Sequence, residues 1–92
     1  MGRVKITFYG ALVRVTGEKT VEINCSTLRD AIDALTARYG VQFKNRILDE
    51  KGKLRRFINI YINGKDIRFL NHIDTRLKDG DKVSVIPAVG GG

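Results

Sequence analysis

The run Gly90-Gly91-Gly92, at the C-terminal end of the 92-residue sequence, has the composition best suited to chemistry. Glycine lacks Cβ, so such a run can thread a narrow channel and take dihedrals closed to other residues. Gly92 would offer a carboxylate at the tip of a slim arm. Taken alone, the same three residues read equally as a frayed end or an appended scar. Other reactive types are sparse. Cys25 is the single cysteine, which excludes an internal disulfide framework and any multi-cysteine metal or iron–sulfur site. It could be a reactive thiol or thioester former. No neighbour supplies a thiolate-activating pair, however, so a partly buried packing residue is expected. His72, the one histidine, sits between Asn71 and Ile73 and reads as a loop residue rather than a ligand. Asp79-Gly80-Asp81 has the look of a cation loop without its further ligands, so a turn is expected and no metal site. No Walker-type or dinucleotide loop precedes a helix, so no nucleotide site is expected in the chain.

Charge is the second feature. The net charge is +7, and the segment from Lys44 to Arg56 carries six basic residues against Asp49 and Glu50. A basic stripe can contact phosphates or an acidic partner. No stacking aromatics or recognition motif accompany it, so specific nucleic-acid binding is not expected and a solvated loop is.

The elements that must position these residues follow from hydrophobic period. Val4, Ile6 and Phe8 alternate with Lys5, Thr7 and Tyr9, and Val21 with Ile23 marks a second half-buried strand. A polar connection containing Gly10 and Gly17 is expected to join them as a long loop. Leu28, Ala31, Ile32, Leu35 and Tyr39 then fall at helical spacing. Ser26 or Thr27 would cap the start, and Gly40 would close the helix in a left-handed conformation. Phe43, Ile47 and Leu48 suggest a single amphipathic turn, and Asp49 to Gly52 a turn. Ile58, Ile60 and Ile62 form a strand ending at Asn63-Gly64, a strong hairpin signal. A short returning strand near Asp66 to Phe69, an irregular stretch from His72 to Leu77, a turn from Lys78 to Asp81 and a last strand through Val83 and Val85 to Pro87 complete the chain.

The order is β-β-α-β-β-β, an α+β chain whose economical packing is a mixed sheet covering one main helix. One domain is expected, since domains run from about 50 to 250 residues. It would span 1–87, with 88–92 as a flexible glycine tail. The last strand is expected beside the first, at the sheet centre. Strand phase then turns Tyr9, Phe57, Tyr61 and Ile86 to the solvent face, a candidate apolar docking patch. No run approaches the roughly 18 apolar residues of a membrane span, and no signal-peptide core follows Met1, so a cytoplasmic protein away from membranes is expected.

Five stretches together resemble the MoaD/ThiS family of ubiquitin-like sulfur carriers: Phe8 to Ala11, Thr27 to Ile32, Ile60 to Lys65, Thr75 to Val83, and Ile86 to Gly92. The match is closest to the small-subunit (MoaD) branch of molybdopterin synthase. The triple glycine is shared with thiazole-pathway carriers, whereas the segment from Val41 to Arg56 is longer than theirs. The resemblance implies a β-grasp fold and a carrier that is not itself an enzyme. It further implies that an E1-like adenylating enzyme (MoeB/ThiF type) uses ATP and Mg to adenylate Gly92, Gly90 and Gly91 forming the arm. A sulfur donor protein would convert the adenylate to a thiocarboxylate, and a molybdopterin synthase large subunit (MoaE type) would receive the sulfur for molybdenum cofactor biosynthesis. The same tail would also suit a protein modifier of the archaeal small-modifier kind, joined to lysines, or sulfur delivery to tRNA or to the thiamine thiazole.

Overall fold

The computed structural model describes residues 2–87. The chain runs β1 (Gly2–Phe8), α1 (Ala11–Thr16), β2 (Thr20–Cys25), α2 (Leu28–Tyr39), α3 (Val41–Ile47), β3 (Ile58–Ile62), β4 (Lys65–Asp66) and β5 (Lys82–Pro87). Two 3-10 turns, Ile67–Phe69 and His72–Asp74, lie between β4 and β5. The five strands form one mixed sheet in the order β2-β1-β5-β3-β4. β5 runs parallel to β1, and the remaining neighbours are antiparallel. This is the β-grasp arrangement, with the first and last strands paired at its centre, as expected.

Strand alternation sends one face of the sheet inward. Val4, Ile6 and Phe8 are buried, as are Ile58, Ile60 and Ile62, and Val83 with Val85. Against them α2 sets Leu28, Ala31, Ile32 and Leu35. Thr27 caps α2 by accepting from the Asp30 N–H at 3.1 Å. At the far end Phe8, Tyr39 and Phe43 meet edge to face or tilted, with ring centroids 5.6 to 5.8 Å apart, the spacing that aromatic quadrupoles favour.

Four expectations need correction. The connection between β1 and β2 is helical, not a long loop: Leu12 is buried, Val13 and Val15 pack on the core, and Gly17 closes α1 in the left-handed region. Burial of that apolar stripe outweighs the weak helix propensity of two valines in six residues. Beyond the Asn63-Gly64 hairpin, only Lys65 and Asp66 pair with β3. The Asp66 carboxylate then accepts from the Arg68 N–H at 2.8 Å, which bends the chain into a 3-10 turn around buried Ile67. The segment after α2 forms the seven-residue α3, with Phe43 and Ile47 buried, rather than one turn. Gly40 does take positive φ, but its ψ of −171° is extended, because it caps α3 while ending α2.

Candidate functional site at the end of the central strand

The geometry that bears on chemistry is set by β5. Pro87 opposes Ile58 and Ile86 opposes Asn59 on the β3 side, while Val85 opposes Phe8 on the β1 side. The Tyr9 N–H donates to the Val85 carbonyl at 3.2 Å, carrying the β1 contact one residue further. The turn into α1 then lies against Pro87: a Cβ on Gly10 would sit 3.2 Å from Pro87 Cγ, and Gly10 has φ +58°. Glycine suits both demands. The end of β5 is therefore held rigidly on both sides, and residues 88–92, including Gly90, Gly91 and Gly92, lie outside the described residues.

Tyr9 is 40% and Phe57 50% exposed. Phe57 immediately precedes Ile58, the partner of Pro87, so Tyr9 and Phe57 flank the exit of the central strand. Ile86 and Tyr61 are half-buried, whereas their neighbours Val85 and Ile60 are core residues. Both thus belong to the outer face. Tyr61 opposes Ser84, which itself opposes Thr7, giving a continuous outer row across three strands. Tyr61 lies one step diagonal to Ile86, within reach of long or aromatic side chains. The structure brings Tyr9, Phe57 and Ile86 to the strand exit and leaves Tyr61 one row behind.

The same face holds a polar network that strand reasoning missed. Arg68 bonds the Asp66 carboxylate at 2.8 Å and the Asn59 side-chain oxygen at 3.1 Å. This holds the Asp66 carboxyl below the usual carboxylate range, chiefly through the guanidinium bond. The only sequence signal was Asp66 two residues before Arg68, which is local and common. Phe69 beside it is 79% exposed.

The remaining candidates serve packing or turns. Cys25 is 2% exposed, and burial, then the nearby Asp30 charge, push its thiol up, the opposite of nucleophile activation. Asp81 is buried with one oxygen accepting from Asn63 Nδ2 at 2.9 Å and the other from the Lys78 N–H at 2.8 Å, so its carboxylate organises the turn. His72 is exposed at φ +50° within the second 3-10 turn. Among the described residues no group of three or more His, Cys, Asp or Glu side chains is placed to hold a metal, and no helix is long and apolar enough to cross a membrane.

The ThiS family matches residues 6–92. The chain is 42% identical to sulfur carrier protein CysO of Mycobacterium tuberculosis over 78 residues, 83% of each chain. Among solved structures it is similar to small archaeal modifier protein 1 of Methanosarcina acetivorans, with TM-score 0.88 and 34% identity over 100% of this chain and 98% of that one. It is also similar to a chain of the Amycolatopsis orientalis BexX/CysO complex, with TM-score 0.85 and 39% identity over 97% of this chain and 99% of that one. With the sheet order and the central last strand in place, and a match that continues from β1 through Gly92, the chain belongs to the ThiS family of ubiquitin-like sulfur carriers.

Proposed function

We propose that this chain carries sulfur on the carboxylate of Gly92, residues 1–87 forming the docking domain and 88–92 the arm that enters a partner's active site. Five residues reach at most about 18 Å when extended, so the domain must dock close to that site. Tyr9, Phe57, Tyr61 and Ile86 supply the docking face around the strand exit. An E1-like enzyme of the MoeB/ThiF type attacks ATP with the carboxylate in the presence of Mg, forming an acyl adenylate and releasing pyrophosphate. A carboxylate is a poor electrophile, and AMP is the leaving group it lacks. A sulfur donor protein then supplies sulfur at the sulfide level, which attacks the acyl carbon and displaces AMP, and the resulting thiocarboxylate delivers sulfur from a site that limits loss to water. The chain contributes the reacting group and its presentation, and the partners contribute the catalysis.

The observation that carries this reading is the family match running through Gly92, directly beyond a central strand pinned at Pro87. For the recipient, the five stretches that resemble the MoaD branch support a MoaE-type large subunit and molybdopterin synthesis in the cytoplasm. Likeness to small archaeal modifier protein 1 along the whole chain supports a second reading, attachment of the tail to lysines of other proteins.

The test is the intact mass of the chain after incubation with an E1-like enzyme, ATP, Mg and a sulfur source. An oxygen-for-sulfur exchange at the C-terminus is expected, and none should occur once Gly91-Gly92 is deleted, with the circular dichroism unchanged. Pyrophosphate release from the truncated chain would overturn the carrier reading. Conjugates that survive denaturing gels, without the exchange, would favour the modifier.

A further inference from the structure

A concave surface lies in the helix layer. Arg29 of α2, Lys51 and Lys53 of the turn before β3, and His72 of the second 3-10 turn rim a groove of about 630 Å³, with Leu54 and Ile73 in its lining. Asp49 builds one wall by accepting from the N–H groups of Lys51 at 2.8 Å and Lys53 at 2.9 Å, and a Leu48–Leu54 bridge closes that turn. The Arg29 guanidinium builds the other by bonding Asp74 at 3.0 Å, which fastens the 3-10 turn to α2. Leu54 and Ile73 are half-buried, packed against the core on one side. Among the described residues no carboxylate pairs with the ammonium groups of Lys51 or Lys53.

We propose that this groove receives an acidic segment of a partner protein, one that carries an apolar side chain between carboxylates. The cationic rim supplies charge complementarity, which steers encounter and fixes register. The apolar lining gives the intervening side chain somewhere to bury, and the volume falls in the range of about 300 to 1,000 Å³ typical of binding pockets. A nucleic-acid strand fits less well, since the lining holds no Phe, Tyr or Trp platform on which successive bases could stack, and His72 supplies only a single imidazole at the rim. The groove belongs to the helix layer, whereas Tyr61 and Ile86 lie on the outer face of the sheet. Both surfaces can be occupied at once, so a partner held here would remain bound while the tail is engaged. This inference goes beyond the tail reading and does not depend on it.

The experiment is fluorescence anisotropy of a labelled peptide with one leucine flanked by glutamates, titrated with the full chain. K51Q/K53Q removes two charges from the rim, and K44Q/R46Q removes the same two charges from exposed positions of α3 outside it. Saturable binding is expected, about tenfold weaker for K51Q/K53Q and changed by less than about twofold for K44Q/R46Q. Exchanging the peptide's leucine for serine should weaken binding several-fold. Equal losses in the two variants would reduce the effect to net charge and overturn the proposal. So would absence of saturation at low salt, or displacement of the peptide by single-stranded RNA at lower concentration than by unlabelled peptide.

Discussion

The side-chain amide of Asn63 donates to the buried carboxylate of Asp81 at 2.9 Å, across eighteen residues of sequence. The Asn63 side-chain oxygen accepts from the Lys82 N–H at 3.0 Å, and its backbone N–H donates to the Lys82 carbonyl at 2.8 Å. One residue thus joins the β3–β4 hairpin turn to the turn that launches the central strand. Asn63 → Gly keeps the positive φ of 52° accessible while removing the amide. A loss of about 1–3 kcal/mol in urea unfolding is expected, because a buried carboxylate oxygen loses its partner. An unchanged midpoint would show that water replaces the amide without cost.

Tyr39 couples stability to alkaline pH. Its hydroxyl donates to Glu18 at 2.7 Å, and burial, then that carboxylate, push its pKa up to about 12 from 10.0. The folded chain therefore holds this proton more tightly than the unfolded chain. Stability from the site is fully present below pH 10 and is lost as pH rises from 10 towards about 12. In thermal melts, Tyr39 → Phe should lose less stability than the parent across that window. Glu18 is held below its usual value, chiefly by the same bond, so its contribution is lost instead as pH falls through the carboxylate range.

The thiol of Cys25 should react slowly with a disulfide reagent at neutral pH in the native chain, and rapidly once urea unfolds it. Burial at 2% exposure limits access, and the raised thiol pKa lowers the thiolate fraction. Fast native labelling, with a rate independent of urea, would contradict the packing role.

Ile60 of β3 and Ile86 of β5, one register step apart and on opposite faces of the sheet, should give opposite phenotypes. Ile60 → Asp puts a charge into the core at a position 1% exposed and should unfold the domain. Ile86 → Asp lies on the outer face, and circular dichroism should stay native while binding of an E1-like partner weakens by about tenfold or more. Reversed outcomes would mean a register shifted by one residue.

The parts of the fold that were legible in sequence are those where one period runs uninterrupted. β1, β3, β5 and α2 each have a single apolar face, and the sheet buries all of them. The Asn63-Gly64 loop was legible because both residues tolerate positive φ. α1 was hidden because Gly10 and Gly17 bracket a segment rich in valine, which is helical through burial of Leu12 and packing of Val13 and Val15 on the core. The hairpin signal implied a strand returning through Asp66 to Phe69, but the Asp66 cap turns the chain and Phe69 is left exposed. Of the candidate site, the glycine run and outer-face phase could be read directly. The basic groove could not, since Arg29, Lys51, Lys53 and His72 come from three separate segments and meet only through tertiary packing.

Because β5 is the strand that joins β1 to β3, the sheet made before it amounts to two separate two-stranded ribbons. Such ribbons are marginal by themselves in water. Closure of the sheet depends on pairings between distant parts of the chain, the kind that form late and slowly. A chain still emerging from synthesis, or cut before Lys82, would have no completed core to offer. Residues 88–92 follow β5 in the sequence, so they are made only after every strand of the sheet, and any partner that reads them meets a chain able to close its core.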